Sequence, residues 1–156
     1  MIKLSFLELI IRGTPEEAIY MWACYILTKT KFELKRYLLS TTLLVLVTYL
    51  IRSLPISMGI NVVLFLGVLI LTNINVNKIS IIKSISVSVS VIILESICEF
   101  INMLIIRYLF KADLTKVWSN PFLKTIYGIP SLVLFVILII IITAVFNKSK
   151  KEDIQL

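Results

Sequence analysis

The sequence predicts an all-α protein: a polytopic membrane helix bundle of about five transmembrane helices (four to six) with a short N-terminal interfacial helix. Three observations predict this class. Of the 156 residues, 59% are apolar and 16% are charged, whereas soluble domains average roughly 45–50% and 25%. The apolar residues form long runs, as expected when about 20 are needed to cross hydrocarbon. The 16 Lys and Arg residues lie in short groups between these runs, so the net charge of +7 indicates membrane flanks and not nucleic-acid binding.

A single integral membrane domain is predicted over residues 1–156, because the apolar runs leave no room for a separate soluble domain. We interpret residues 1–14 as the interfacial segment and residues 15–146 as the helix bundle. Residues 147–156 then form a charged cytoplasmic tail.

The stretch "GTPEE" predicts the start of the first helix of the bundle. Thr14 is expected to cap this helix, with Pro15 in the first helical position and Glu17 completing a capping box. The apolar part of the helix is short for a span. Two alternatives therefore stay open: residues 15–28 cross the membrane, or they lie in the interface and four spans remain.

The next two spans are separated by a tight turn. The basic loop "KTKFELKR" at residues 29–36 precedes the second span, which covers residues 37–51. The turn "RSLPISMG" contains Pro55 and Gly59, two residue types that end helices. The third span covers residues 60–76.

The segment 79–106 is predicted to be one long helix, although "SISVSVSV" alternates like a β-strand. This segment contains neither Gly nor Pro. An unpaired strand also cannot cross lipid, because its backbone N–H and C=O groups would have no partners there.

Aromatic residues alternate with lysines between residues 108 and 127, a composition typical of the membrane–water boundary. We expect Trp118, Phe122 and Tyr127 to lie at that interface. The final span covers residues 129–146.

The orientation follows from the basic loops, which are enriched on the cytoplasmic side of membranes. Alternating spans place the loop 29–36, the region of Lys78 and the tail after Phe146 on one side. We therefore predict a multi-pass protein of the cell membrane whose C-terminus is cytoplasmic.

Several enzyme classes are excluded by composition. The chain has no His, the residue type that serves most often as a general base and as a metal ligand. It has four Gly residues and no Walker or dinucleotide-binding pattern, so no loop is able to wrap a phosphate. We predict that the protein is not an enzyme and has no cofactor, no metal site and no nucleic-acid partner.

The long helix carries a polar stripe, which is the candidate site. At 100° per residue, one face of roughly 100° collects most of its polar side chains; the site members are Ser84, Ser88, Glu95, Glu99 and Asn102. Both acids are expected to face the bundle interior. Glu95 lies nearer the middle of the helix, so we expect it to be the more desolvated of the two acids.

Two interpretations of this stripe stay open. The polar side chains either hold helices together, with Arg52 as a charge partner, or they form a functional site for a cation, a proton or a polar ligand. Intramembrane acids are costly, which makes a functional site the default hypothesis to test.

Four fragments resemble one known family: "TPEEAIYMWACYIL", "YLIRSLPISMGINVVLFL", "ESICEFINMLI" and "SNPFLKTIYGIPSLVLFVILI". Together they resemble the N-terminal membrane region of sensor histidine kinases of the GHKL type from low-GC Gram-positive bacteria. The resemblance implies a bacterial sensory or regulatory membrane module. This chain has neither a phosphorylatable His nor an ATP-binding domain, so a stand-alone form of that region is expected.

The leading functional prediction is a non-enzymatic multi-pass membrane protein that binds a partner or a small ligand in signalling. The alternative is a small membrane transporter or transporter subunit that uses its intramembrane carboxylates for a cation or solute. The expected partners are the lipid bilayer and a membrane or cytosolic signalling protein, and self-association into a homo-oligomer stays open.

Overall fold

The computed structural model describes residues 9–111, 117 and 119–152, and within them the chain is all-α. The described part contains five α-helices: α1 (Thr14–Thr28), α2 (Leu34–Ser53), α3 (Met58–Asn75), α4 (Ile81–Leu104) and α5 (Pro121–Glu152). Single π-helical turns at Leu9–Gly13 and Ile105–Leu109 precede α1 and follow α4. The predicted all-α helical bundle is confirmed.

Successive helices pack against each other, and α1 occupies the centre of the bundle. It contacts α2, α4 and α5, and Tyr20 of α1 also packs against Phe65 of α3 at 5.7 Å between ring centroids. The short connections reverse the chain at each step. The starts of α1, α3 and α5 therefore lie with the ends of α2 and α4 at one end, the "Arg12 end". The opposite end of the bundle is the "Lys29 end".

The exterior of the bundle is apolar, while many polar side chains are buried. Large apolar residues on α2, α4 and α5 are exposed; examples are Leu46, Leu50, Ile82, Ile93, Val133 and Ile141. In the part of the chain that the structure describes, three helical stretches are long and apolar enough to cross a membrane: Leu34–Ser53, Ile81–Leu109 and Phe122–Phe146. Gly59–Asn75 is a shorter apolar helix. An apolar surface around a polar interior is the arrangement expected in hydrocarbon.

The segment with alternating Ser and Val is helical, as predicted. Its buried positions on α4 follow the spacing of a helix and include Ser84, Ser88, Val91, Glu95 and Asn102. Ser86 and Ser90, which share the period-2 pattern, are exposed.

The start of α1 differs from the prediction. No side chain caps this helix, because the π turn Leu9–Gly13 runs directly into it and Gly13 is itself helical (φ −61°, ψ −45°). The Glu17 carboxylate, expected in a capping box, instead accepts a hydrogen bond from Thr48 of α2.

The last helix begins earlier than predicted. α5 starts at Pro121 and includes Gly128 and Pro130, which the sequence analysis placed before or at the start of the final span. Next to Pro130, the Ser131 hydroxyl donates to the carbonyl oxygen of Gly128 at 2.7 Å. Such a bond provides a partner for a carbonyl close to the proline.

An apolar layer separates the two ends of the bundle. It consists of fully buried side chains from several helices: Met21, Leu44, Leu69, Val91, Phe135 and Ile139. The ring of Tyr20 packs edge-on against Phe135 at 5.8 Å. Polar groups therefore gather in two separate regions, one on each side of this layer.

Candidate functional site

Six of the described charged residues at the Arg12 end form one group, which we call the acidic cluster. Four of its members carry carboxyl groups and two carry guanidinium groups; they are Arg12, Glu16, Glu17, Arg52, Glu95 and Glu99. The cluster lies where the start of α1 meets the ends of α2 and α4 and the start of α5. Its carboxyl groups outnumber its cations.

Arg12 connects three parts of the bundle. Its Nη2 lies 2.6 Å from Oε1 of Glu99 on α4, and its Nε lies 3.6 Å from Oε2 of Glu16 on α1. On α5, Gly128 leaves space for the guanidinium, since a Cβ at that position would lie 2.8 Å from Cζ of Arg12. The Arg12 side chain is only 14% exposed. It therefore lies inside the bundle.

Glu16 is the acid with the most partners. Its Oε1 accepts a hydrogen bond from the Tyr20 hydroxyl at 3.2 Å and lies 3.6 Å from Nη2 of Arg52. Arg52, predicted as a possible charge partner of the polar stripe, thus lies near an acid of α1. The Arg52 side chain at the end of α2 faces α1, so its acidic partner there is Glu16.

One of the two carboxylate oxygens of Glu17 has a hydrogen-bond partner. Its Oε1 accepts a hydrogen bond from the Thr48 hydroxyl at 2.7 Å. Its Oε2 is buried and has no hydrogen-bond partner.

Glu95 is the least satisfied member of the cluster. The residue is 4% exposed, and both carboxylate oxygens are buried without a hydrogen-bond partner. Glu16, Glu99 and Arg12 are close enough to act on it electrostatically. Buried polar atoms in native proteins nearly always have partners, so two orphan oxygens on one carboxyl group require an explanation.

Glu99 does not face the interior, and the prediction that both acids do is wrong for this residue. Its side chain is 48% exposed. The buried face of α4 advances through Val91, Glu95, Cys98 and Asn102, and Glu99 falls at the edge of that face. Glu95 is more buried within the bundle than Glu99, and the expected difference in desolvation stays a prediction.

The predicted stripe is divided between the two ends of the bundle. At the Arg12 end, Asn102 donates from Nδ2 to the carbonyl oxygen of Tyr127 at 2.7 Å, while its Oδ1 is buried without a hydrogen-bond partner. Beyond the apolar layer, Ser84 donates to the carbonyl oxygen of Ile79 and Ser88 accepts from Asn73. Of the predicted stripe, Glu95, Glu99 and Asn102 therefore lie at the Arg12 end, and Ser84 and Ser88 lie at the Lys29 end.

A second polar group, the amide network, lies at the Lys29 end. The Tyr25 hydroxyl donates to Oδ1 of Asn77 at 2.8 Å, and Nδ2 of Asn77 donates to Oδ1 of Asn73 at 3.1 Å. Nδ2 of Asn73 reaches Oγ of Ser88 at 3.2 Å and Sγ of Cys24 at 3.3 Å. These bonds join α1, α3 and α4.

The predicted interfacial aromatics are only partly described. Phe122 is 66% exposed near the start of α5. Tyr127 is half-buried, and its ring lies 6.1 Å from that of Phe110. Trp118 lies outside the described residues.

Sequence reasoning missed Arg12, Glu16 and Glu17 as site residues because it assigned them to an interfacial turn and a capping motif. Their spacing contains a usable signal. Arg12, Glu16 and Tyr20 follow at intervals of four residues, which puts them on one face of a helix. Asn73 and Asn77 show the same interval.

The buried atoms without a hydrogen-bond partner at the Arg12 end include one donor and several acceptors. The donor is Nε of Arg12, which lies 3.6 Å from Oε2 of Glu16 in an ion pair. Oε2 of Glu17, both carboxylate oxygens of Glu95 and Oδ1 of Asn102 are buried and unpartnered. Among the described residues, no group of three or more His, Cys, Asp or Glu is arranged to hold a metal ion. The acceptors therefore match a hydrogen-bond donor, a proton or a cationic group.

Comparison of the chain with models of protein families, with curated proteins and with solved structures finds no match.

Proposed function

We propose that this chain is a non-enzymatic, multi-pass protein of the cell membrane that acts as a sensory or regulatory module. In this proposal, a ligand or partner group with hydrogen-bond donors binds the acidic cluster, and the C-terminus is cytoplasmic. The supporting observation is Glu95: a carboxyl group buried in an apolar-faced bundle with both oxygens unpartnered. Intramembrane acids are costly and are typical of functional sites.

The chemical class of the ligand follows from the orphan atoms. Those on Glu17, Glu95 and Asn102 are all acceptors, so a complementary ligand presents N–H or O–H donors. An alkylammonium or guanidinium group presents several such N–H donors and forms charge-assisted hydrogen bonds with an ionised carboxylate.

A sensory role fits this site because of the central position of α1. The start of α1 carries Glu16 and Glu17 of the acidic cluster, and its end carries Tyr25 of the amide network. A ligand that changes the contacts of the cluster would shift α1 against its neighbours. The basic connection after Thr28 would then move with it.

The apolar layer favours this role over transport. On α4, Val91 lies between Ser88 and Glu95 and is fully buried, and about 10 Å separates those two polar residues at 1.5 Å per residue. The amide network beyond the layer is bonded mainly to itself. In this conformation, the described polar groups do not form a continuous line across the bundle.

A small transporter or transporter subunit is the second candidate, and the unpartnered carboxyl group of Glu95 is the observation that favours it. Transport would require the layer around Val91 and Phe135 to open. The resemblance to the membrane region of GHKL-type sensor kinases favours the sensory proposal, with a membrane or cytosolic signalling protein as the expected partner.

The test measures thermal unfolding of the chain in nanodiscs with three salts at equal concentration. Butylammonium chloride provides a cation with N–H donors, choline chloride provides a cation without them, and sodium chloride controls for ionic strength. We expect butylammonium alone to raise the Tm, because a ligand that binds the folded state stabilises it by mass action.

Two variants make this measurement specific. Glu95→Gln is expected to fold and to lose the butylammonium effect, whereas Glu33→Gln, in an exposed pair at the Lys29 end, is expected to retain it. An equal Tm rise in the native chain and in Glu95→Gln, or none in either, would contradict the proposal. Uptake of methylammonium into proteoliposomes would instead support the transporter.

A further inference from the structure

A groove opens on the bundle surface at the Lys29 end, far from the acidic cluster. Its volume is about 550 Å³, and it lies between the end of α1, the connection to α2 and the late part of α5. Trp22, Ile26 and Phe32 form its apolar wall, Thr143 contributes from α5, and Lys29 and Thr30 lie at its rim.

The wall of the groove is held in shape by aromatic packing. The ring of Phe32 lies 5.4 Å from that of Tyr25 and 5.1 Å from that of Tyr37. Tyr25 is itself fixed by its hydrogen bond to Asn77. The loop residue Phe32 is therefore packed against α1 and α2.

Lys29 ends α1 in the left-handed conformation, with φ 53° and ψ 33°. Its N–H donates to the carbonyl oxygen of Ile26 at 3.1 Å, and that of Thr30 donates to Tyr25 at 3.2 Å. This αL ending is uncommon for a residue other than Gly. It turns the chain so that residues 30–33 fold along the groove.

The rim of the groove is positively charged. Lys29 lines the groove, and Lys31 and Lys35 are exposed close to it in the chain. In the same described stretch, Glu33 lies 3.0 Å from Arg36 in an ion pair. A cationic rim above an apolar, aromatic wall is complementary to a phosphate group attached to a hydrocarbon chain.

We propose that this groove binds an anionic phospholipid, with the phosphate near Lys29 and Lys31 and an acyl chain along Trp22, Ile26 and Phe32. A soluble anion would gain nothing from the apolar wall. A zwitterionic lipid would place a second cation at a basic rim. The proposal requires that the bundle spans a bilayer but is independent of any ligand at the acidic cluster.

The experiment uses Trp22 as the reporter. A Trp118→Phe background leaves Trp22 as the remaining tryptophan, since the chain has two. The protein is reconstituted in vesicles that contain brominated phosphatidylglycerol or, at the same mole fraction, brominated phosphatidylcholine. Bromine quenches tryptophan fluorescence on contact, so quenching reports which lipid occupies the groove.

We expect brominated phosphatidylglycerol to bind near Trp22 better than brominated phosphatidylcholine, by about fivefold for each of the two lysines near the phosphate. In the double variant Lys29→Gln, Lys31→Gln, the ratio of phosphatidylglycerol to phosphatidylcholine binding should be close to one. Lys29→Arg keeps the positive charge and should retain the preference for phosphatidylglycerol. Lys111→Gln is the matched control, because Lys111 is also left-handed (φ 49°) but lies at the Arg12 end.

Three outcomes would overturn the proposal. The first is equal quenching of Trp22 by both lipids in the native chain. The second is an unchanged ratio of phosphatidylglycerol to phosphatidylcholine quenching in the folded double lysine variant. The third is loss of the preference for phosphatidylglycerol in millimolar inorganic phosphate. The last outcome would indicate a site for free phosphate and not for lipid. Circular dichroism confirms that each variant is folded before its ratio is compared.

Discussion

Arg12 and Glu99, 87 residues apart in the chain, are joined by a contact of 2.6 Å between Nη2 and Oε1. This contact attaches the turn before α1 to the edge of α4. Because the same guanidinium also lies near Glu16 and against Gly128 of α5, one side chain determines how three elements meet at the Arg12 end.

Replacement of Arg12 is expected to destabilise the bundle. Arg12→Gln removes the cation between Glu99 and the buried Glu16. Glu16 keeps its contacts with Tyr20 and Arg52, whereas Glu99 loses its ion pair with Arg12. Breaking a fully buried ion pair costs roughly 3–5 kcal/mol, and half exposure of Glu99 reduces this to about 2 kcal/mol. Thermal unfolding in nanodiscs measures the effect. Glu33→Gln, in a pair whose side chains are 41% and 44% exposed, should change stability by less than about 0.5 kcal/mol.

The space at Gly128 gives a second prediction. Gly128→Ala places a Cβ about 2.8 Å from the Arg12 guanidinium, so Arg12 must move away from Glu99 and Glu16. We expect a stability loss in the native background. In the Arg12→Gln background, Gly128→Ala should be neutral or stabilising, because Ala stabilises a helix by up to about 1 kcal/mol relative to Gly. The double-mutant cycle isolates this coupling.

Gly59→Ala and Gly67→Ala are the controls for that cycle. Neither position has an atom within 4 Å of the added Cβ. Both changes should be neutral or slightly stabilising in either background. A loss at these positions equal to that at Gly128 would show that the penalty does not come from Arg12.

The all-α fold class could be predicted from the composition, because long apolar runs that cross lipid must be helical to satisfy their backbone groups. The helical character of the segment with alternating Ser and Val was predicted from the cost of unpaired backbone groups in lipid, and α4 confirms it. The buried positions of Ser84, Ser88, Glu95 and Asn102 follow from helical periodicity alone.

The partners of these side chains do not follow from the sequence. Periodicity orients a side chain around its own axis, but it does not say which neighbouring helix lies opposite. The contact between Arg52 and Glu16 of α1 was therefore not predicted, since the central position of α1 was unknown. The start of α5 was also misplaced, because Gly128 and Pro130 usually end helices, whereas here the helix continues through them.

The amide network gives a third prediction. Tyr25→Phe removes the hydroxyl that donates to Oδ1 of Asn77 and leaves a buried acceptor without that bond. The cost should be about 1–2 kcal/mol, the usual penalty for an unsatisfied buried polar group. Chemical unfolding in mild detergent measures it. Tyr108→Phe, at a residue that is 70% exposed, removes the same hydroxyl at the surface and should have no measurable effect.

The last prediction concerns the side of the membrane that each end faces. Lys29, Lys31, Lys35 and Arg36 gather at the Lys29 end, and clusters of this kind stay in the cytoplasm. In intact cells, an impermeant maleimide should therefore label Leu109→Cys, at a residue that is 74% exposed at the Arg12 end. It should label Lys31→Cys and a cysteine within residues 148–156 only after the membrane is permeabilised. The native chain is the background control, because Cys24 and Cys98 are both buried. Labelling of Lys31→Cys from outside intact cells would reverse the topology. Labelling of residues 31 and 109 from the same side would contradict three crossings of the membrane by α2, α3 and α4.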